Sequence, residues 1–307
     1  MKPSTFALVF LLLFLGCLLH CEASDPALRN VTPHPVTNGR MAMGLKGPVK
    51  SVTGNSDPTE IGGTSYWFDE QGYITQFYVE PDYGSYSLSV DFIYRTEGDK
   101  VTEVRMVDEE GQLQGLLTYQ YDAEGLLFAS SFTQLNDDLI YYGAMPRILP
   151  AVHVAGLDCD DHYNDMVWDT KGNLVRFNSY DIDHHPTRIL LFTYDDEGFL
   201  LREDEMDENA ILQSYSIYKY NEEGYCTRIT DYDARGKMTY ANANSYDQYG
   251  NLTSVQYIKA DGRVDYEMSF EYEFDEYCNC IFSDFGWGTS NNVYTYYPEE
   301  QAPGNDR

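Results

Sequence analysis

The feature that most constrains this chain is a short motif that recurs along most of its length. In copies such as the one from Tyr218, aromatic residues alternate with polar ones; in every copy Asp or Asn follows, and Gly comes shortly before an apolar run. Such alternation places the aromatic side chains on one face of a strand. The copies are YWFDEQGYIT from Tyr66, YQYDAEGLL from Tyr119, MVWDTKGNLV from Met166, FTYDDEGFLL from Phe192, YKYNEEGYCTRI from Tyr218 and YDQYGNLTSV from Tyr246.

The middle of the motif predicts a tight hairpin turn. Asp at the first turn position accepts a hydrogen bond from the backbone two residues on, and Gly at the fourth accepts a left-handed conformation. The apolar run that follows is then a second strand. The spacings between successive turn glycines are 26, 27, 47, 26, 26 and 26 residues, and these glycines are Gly72, Gly98, Gly125, Gly172, Gly198, Gly224 and Gly250. We therefore predict an all-β fold of antiparallel β-hairpin repeats with a period of about 26 residues.

The consensus Y-x-Y-D-x-x-G-x-L resembles the YD repeat of the Rhs family, over about Gly47 to Tyr297. The resemblance implies a twisted or spiral repeat sheet on the outside of a bacterial cell. The chain departs from the family in its longer period, its short array and the lack of a toxin-like domain after the repeats. About seven repeats are too few for the closed shell of the large members. The role of enclosing a cargo is therefore not carried over.

The first 23 residues are typical of an export signal. Lys2 is followed by an apolar run from Phe6 to Leu19, which is short for a membrane span and suits the core of a signal peptide. Cleavage after Ala23 is one outcome, and lipidation of Cys17 or Cys21 is the alternative. The protein is therefore expected to be secreted or held at a bacterial outer membrane or cell surface, and no transmembrane span is predicted elsewhere.

The rest of the chain divides by composition. Residues 24–46, with prolines at positions 26, 33 and 35, are predicted to be a flexible tether. Residues 47–297 form one repeat domain with an insertion near 135–165, and the polar residues 298–307 are predicted to be a disordered tail. The insertion lies where the glycine spacing is 47 instead of 26, and loops projecting from repeat arrays often carry function.

Charge limits the partners. The sequence has 20 basic and 50 acidic residues, a net charge of −30, which disfavours nucleic acid and anionic membranes. Tyrosine supplies 28 of the 46 aromatic residues, and a tyrosine-rich sheet either packs its rings half-buried or offers them to sugar faces. A membrane contact is expected only through a lipid anchor. The partner is expected to be an extracellular glycan or protein.

The insertion contains the densest group of oxygen ligands in the sequence. The alternate spacing of Asp158, Asp160, His162 and Asn164 weakly resembles a calcium loop without its central Gly. The candidate metal ligands are Asp158, Asp160, His162 and Asp165. Carboxylates and histidines of the next turn region, Asp181, Asp183, His184 and His185, are expected to approach them if adjacent repeats stack. A site for Ca²⁺, or for a transition metal bound through the histidines, is thus one interpretation, and solvated acidic loops are the other. No other cofactor is predicted.

Catalytic motifs are missing from the sequence. It has no Gly-x-Ser-x-Gly, no His-Glu-x-x-His and no phosphate-binding loop. The cysteines Cys159, Cys226, Cys278 and Cys280 are interpreted either as disulfide partners or as buried thiols. We therefore expect a non-enzymatic scaffold that binds a carbohydrate or protein. The alternatives are a calcium-stabilised adhesion module and, third, a secreted hydrolase.

Overall fold

The structure is a computed structural model of the whole chain. It describes residue 40 and residues 45–55, 63–80, 88–98, 100–135, 163–285 and 288–298. The predicted signal segment and its lipidation cysteines, most of the tether, nearly all of the insertion and the tail beyond residue 298 lie outside the described residues.

The described residues form strands joined mostly by short turns. Their alternation of aromatic or branched residues with Ser, Thr and charged residues suits a sheet with one buried and one wet face. The strands are β1 Val49–Asn55, β2 Gly63–Phe68, β3 Ile74–Glu80, β4 Leu88–Glu97, β5 Lys100–Val107, β6 Leu113–Tyr121, β7 Leu127–Gln134, β8 Tyr163–Trp168, β9 Leu174–Tyr180, β10 Pro186–Tyr194, β11 Leu200–Met206, β12 Leu212–Tyr220, β13 Cys226–Asp233, β14 Met238–Tyr246, β15 Leu252–Lys259, β16 Val264–Ser269, β17 Glu271–Phe274, β18 Cys280–Asp284 and β19 Thr289–Tyr296.

All strands belong to one antiparallel sheet, in which each strand pairs with its neighbours in sequence. The first strand also pairs with the last, with Val52 opposite Tyr294. Strands β16 and β17 run on through Phe270, whose N–H donates to Thr253 O at 3.0 Å. The sheet is therefore a nearly closed, barrel-like ring. The all-β antiparallel prediction is confirmed, and the predicted spiral is wrong, because pairing between β1 and β19 joins the two ends of the array.

The turns follow the Asp-x-x-Gly pattern in atomic detail. In the turn between β14 and β15, Gly250 N–H donates to Asp247 O at 3.1 Å, and Asp247 Oδ1 accepts from the N–H groups of Tyr249 and Asn251 at 2.8 and 2.9 Å. Gly250 has a φ of 85°, in the left-handed region that a side chain disfavours. The pairing of β14 with β15 shifts register between Ser245 and Tyr246, just before the turn. The glycine therefore closes a bulged hairpin.

In several motif copies the tyrosine directly before the turn Asp or Asn links two neighbouring strands at the turn end of the ring. Tyr220 OH donates to Leu200 O at 2.8 Å, and its ring lies 4.8 Å from that of Phe199. In each such pair the acceptor lies 20 residues before the tyrosine. The same hydrogen bond joins Tyr121 to Val101, Tyr194 to Leu174 and Tyr246 to Cys226. Each of these hydrogen bonds joins the C-terminal end of one strand to the N-terminal end of the strand before it.

The two faces of the sheet differ in chemistry. One face carries fully buried side chains such as Phe77, Val104 and Phe177, each with 0% exposure. Since the described strands form a single layer, this is the face that the ring encloses, and we call it the enclosed face. The opposite, outer face carries hydroxyl pairs such as Thr118 and Ser131, whose oxygens lie 2.6 Å apart. The core is therefore inside the ring, and the outer face is largely polar with exposed apolar side chains such as Ile93, Val167 and Val293.

The first and last strands of the ring, β1 and β19, meet at one seam. Ser51 Oγ lies 2.6 Å from Thr295 Oγ1 across β1 and β19. Residues of the predicted tether also contact this region: Lys46 exchanges two hydrogen bonds with the side chain of Asn279, at 2.8 and 2.9 Å. Tyr297 OH donates to Phe68 O at 2.7 Å. The seam is thus closed by strand pairing and by residues on both sides of it.

Candidate functional site

A cleft of about 390 Å³ lies across strands β6 to β9. Such a volume is within the range of small-ligand sites in proteins. We call it the β6–β9 cleft. It is lined by three aromatic rings, a carboxylate, two carboxamides and small residues, two of which bear hydroxyls. Its lining residues are Gln120, Ala129, Ser130, Ser131, Tyr163, Asn164, Asp165, Tyr180 and His184.

Strand register brings the polar lining together. Gln120 lies opposite Ala129, and Ala129 lies opposite Asp165, so the amide and the carboxylate are two strands apart on one face. Alternation along β7 and β8 places Ser131 and Tyr163 on that same outer face, where they are also paired. The cleft is therefore a product of sheet register, which brings together residues of the four strands β6 to β9.

Asp165 anchors a hydrogen-bonded group at the base of the cleft. Its carboxylate accepts from Tyr180 OH at 2.5 Å and from the side-chain amide of Asn178. Arg176 Nε in turn donates to Asn178 Oδ1 at 2.8 Å. Burial, then the hydrogen bond to the Asp165 carboxylate, raises the pKa of Tyr180. A carboxylate has room for further donors beyond these two, so Asp165 can still accept from a ligand hydroxyl.

His184 forms one wall of the cleft through an unusual backbone position. The turn between β9 and β10 has the bonds of the Asp-x-x-Gly turns, with His184 N–H donating to Asp181 O at 3.1 Å. Here histidine occupies the glycine position with a φ of 62°. Its ring stacks on that of Tyr163, with centroids 3.9 Å apart and planes inclined by 21°. The pair presents an aromatic surface beside the polar base.

Carboxylates dominate the surroundings of the cleft. Besides Asp165, the turn that carries His184 contains Asp181 and Asp183. The hydrogen bond from the backbone N–H of His185 holds the pKa of Asp181 below its ordinary value. Arg176 is the cation that reaches the hydrogen-bonded group described above. This charge balance favours uncharged or cationic ligands over anionic ones.

The residues predicted as metal ligands are distributed unevenly. Asp158, Asp160 and His162 lie outside the described residues, as does Cys159. Asp165 lies in the cleft and binds Asn178 and Tyr180. Within the described ranges, no group of three or more His, Cys, Asp or Glu side chains is arranged to hold a metal ion. Of the described cysteines, Cys226 and Cys278 are free thiols, and Cys280 Sγ donates to Phe282 O at 3.2 Å.

Sequence reasoning missed Gln120, Tyr163 and Tyr180 as cleft residues. Gln120 and Tyr163 lie 43 positions apart, and nothing in their spacing links them before the strand register is known. His184 had been considered only as a metal ligand. A signal was available, because His replaces the expected Gly of the turn Asp-Ile-Asp-His. A bulky residue at a position that favours glycine marks backbone strain, and strain is concentrated at functional sites.

A second polar group lies on the enclosed face, in a row across β11, β12 and β13. Glu203 is opposite Ser216, which is opposite Asp231. Tyr218 OH donates to Glu203 Oε2 at 3.1 Å, and Ser216 Oγ donates to Asp231 Oδ1 at 2.7 Å. Burial raises the pKa of Glu203 from 4.5 to about 7, and burial likewise raises that of Asp231. We call Glu203, Ser216 and Asp231 the acidic row.

The acidic row does not fit the geometry of an open active site. Glu203 is half-buried on the enclosed face, and its carboxyl is held by the hydroxyl of Tyr218. The β6–β9 cleft is therefore the better candidate for ligand binding, because it opens on the outer face.

Among the described residues, none belongs to a helix long and apolar enough to cross a membrane.

Comparison with known proteins gives distant structural likenesses. No protein-family model and no curated protein matches the sequence. A porin-like protein from Bacteroides uniformis is similar with a TM-score of 0.40 and 11% identity, over 81% of this chain and 99% of the other. A porin-like protein from Bacteroides vulgatus is similar with a TM-score of 0.35 and 15% identity, over 81% of this chain and 98% of the other. The Photorhabdus luminescens Tc holotoxin pore gives 0.22 and 13%, over 76% of this chain and 16% of the other. The function is therefore inferred from the side chains of this chain.

Proposed function

We propose that this protein is a non-enzymatic carbohydrate-binding scaffold that uses the β6–β9 cleft. The observation that carries the proposal is the combination, in one cleft of about 390 Å³, of a stacked Tyr163–His184 pair with the carboxylate of Asp165 and the amide of Gln120. Sugar rings have apolar faces that pack on aromatic rings. Their hydroxyl edges need carboxylate and amide partners, which this cleft supplies.

The proposal places the binding outside the cell. The export signal in residues 1–23, with cleavage after Ala23 or lipidation at Cys17 or Cys21, supports a secreted or surface-anchored protein. The YD-like motif supports a bacterial surface origin by resemblance. The strongly acidic composition suits an exposed protein that stays soluble in contact with polymers. A glycan partner is preferred to a protein partner because the cleft is small and concave.

The test is direct measurement of glycan binding by the purified protein. A glycan array identifies the ligand, and isothermal titration calorimetry then compares wild type with Tyr163→Leu and Gln120→Ala. Each variant is expected to weaken binding at least about tenfold, which corresponds to about 1.4 kcal/mol. Tyr163→Leu removes the stacking ring, and Gln120→Ala removes a hydrogen-bonding amide on the opposite side of the cleft.

The matched control is Tyr249→Leu. Tyr249 has 53% exposure and lies in the turn between β14 and β15, away from the cleft. This variant should bind like wild type. The proposal fails if no glycan on the array binds, or if the variants of Tyr163 and Gln120 bind as tightly as the control. Turnover of the bound glycan, seen as product by chromatography, would instead support the hydrolase alternative.

A further inference from the structure

We infer that His184 and the carboxylates around it set the specificity of the β6–β9 cleft: the His184 ring holds an uncharged sugar, and the carboxylates disfavour an acidic one. The inference rests on the proposed function and names both the ligand class and the residues responsible. It starts from a turn in which a side chain replaces the expected glycine.

The turn of His184 has the geometry of a glycine turn. In the comparable turn between β10 and β11, Gly198 N–H donates to Asp195 O at 3.3 Å, and Gly198 has a φ of 89°. The corresponding bond of His184 measures 3.1 Å, and its φ is 62°. A side chain at such a φ meets a steric penalty that glycine avoids. The hairpin therefore does not need histidine, and glycine would fit it better.

The side chain of His184 has a role that the turn itself does not require. Its ring lies on Tyr163, at a centroid distance of 3.9 Å, and lines the cleft. Replacing the side chain by hydrogen would leave Tyr163 without its stacked partner and open that wall. The ring pair is therefore the feature that distinguishes this turn from the glycine turns, and it faces the space where a ligand would bind.

The carboxylates around the ring indicate which sugars fit. Asp165 lines the cleft, and Asp181 and Asp183 flank His184 in its own turn. A uronic acid or sialic acid placed against His184 would bring a further carboxylate towards these charges, with Arg176 as the opposing cation. An uncharged hexose would meet the ring pair through its apolar face and donate hydroxyls to Asp165. The site therefore favours neutral sugars.

The chain offers a matched control at a second turn. Ala210 occupies the same turn position between β11 and β12, with a φ of 58° and a bond from its N–H to Asp207 O of 3.0 Å. Ala210 is not among the residues that line the cleft. Changing Ala210 to Gly relieves the same backbone strain without touching the site, whereas changing His184 to Gly relieves it and removes the ring.

The experiment measures melting temperature and affinity for wild type, His184→Gly, His184→Asn and Ala210→Gly. The neutral probes are cellotetraose, mannotetraose and chitotetraose, and the acidic probe is tetragalacturonate. Wild type should bind a neutral probe at least about tenfold more tightly than the acidic one. His184→Gly and Ala210→Gly should both raise the melting temperature, by about 1 to 3 °C. Only the two His184 variants should lose neutral-sugar affinity, again about tenfold.

His184→Asn separates stacking from strain, since asparagine tolerates the left-handed conformation but has no ring. If both His184 variants keep the wild-type affinity and selectivity, the inference is overturned while the proposed function stands. If wild type prefers tetragalacturonate, the stated ligand class is wrong. If wild type binds none of the four probes, the proposed function fails and the inference fails with it. A melting temperature that falls in His184→Gly but rises in Ala210→Gly would overturn the claim that the ring is held at a cost in stability.

Discussion

Replacing Glu203 with Gln should remove about 3 kcal/mol of the stability that the protein loses between pH 4.5 and pH 8. Glu203 lies on the enclosed face, and the groups that face it are Tyr218 on β12, Asp231 on β13 and Arg188 on β10, with Glu205 on its own strand. Burial dominates over the hydrogen bond from Tyr218 and raises the pKa to about 7. The carboxyl is therefore protonated in the folded protein at a pH where the unfolded chain has already ionised it.

The magnitude follows from the shift. The pKa rises from 4.5 to about 7, so the difference is about 2.5 units. At about 1.36 kcal/mol for each unit, the protonated carboxyl contributes about 3 kcal/mol. Because the folded pKa is raised, this stability is fully present below pH 4.5. It is lost as the pH rises towards 7, and above 7 the loss is complete. Ionised Glu203 then remains on the enclosed face without a full counter-charge.

The assay is urea unfolding of wild type and Glu203→Gln at pH 4.5 and pH 8. Gln has nearly the same shape, stays uncharged and can accept the hydrogen bond from Tyr218 OH. The free energy of unfolding of the variant relative to wild type should therefore rise by about 3 kcal/mol between the two pH values. Taking the difference cancels the pH dependence of the many other carboxylates, which both proteins share.

The control is Glu222→Gln, the same change at an exposed residue in the turn between β12 and β13. Its relative stability should change by less than about 0.5 kcal/mol between pH 4.5 and pH 8. If Glu203→Gln behaves like Glu222→Gln, the reasoning is refuted, because Glu203 would then ionise in the folded ring without penalty. A fall in relative stability would mean that the charged carboxylate is favourably paired.

Three further outcomes test other parts of the structure. Tyr220→Phe, which keeps the ring on Phe199 but removes the hydrogen bond to Leu200 O, should lower the free energy of unfolding by about 1 kcal/mol in urea, whereas Tyr249→Phe should change it by less than about 0.3. Gly47→Ala should destabilise clearly more than Gly98→Ala by thermal melting. Both glycines have positive φ, but a Cβ at Gly47 would lie 2.5 Å from Tyr277 Cδ1 and one at Gly98 would meet nothing within 4 Å. The melting temperature should be the same in EDTA and in millimolar Ca²⁺; a rise with Ca²⁺ that Asp158→Ala and Asp160→Ala abolish would favour the adhesion alternative.

Local chemistry could be predicted from the sequence because it depends on neighbours along the chain. Asp247 and Gly250 determine their turn through hydrogen bonds that span at most four residues, so the Asp-x-x-Gly pattern is enough to identify it. The same holds for the alternation that places Phe177 and Leu190 on the enclosed face. The all-β antiparallel class follows from these two kinds of pattern.

Closure and the cleft could not be predicted, because both depend on register between distant strands. The pairing of Val52 with Tyr294 joins residues at opposite ends of the domain, and no local pattern distinguishes it from an open array. In the same way, the cleft requires Gln120 and Asp165 to fall on one face two strands apart. The raised pKa of Glu203 also depends on its place on the enclosed face. In the sequence, nothing distinguishes Glu203 from the many other acidic residues.

The seam between β1 and β19 has a consequence for how the protein can be made. Until the last strand is available, β1 and β18 both expose unpaired backbone N–H and C=O groups, and such edges recruit strands from other chains. A chain that stops short of Thr289 would keep both edges permanently, whereas the complete ring hides them. The ring can thus close only when synthesis is complete. We expect full-length molecules to remain monodisperse, and prematurely terminated ones to associate with each other or be degraded.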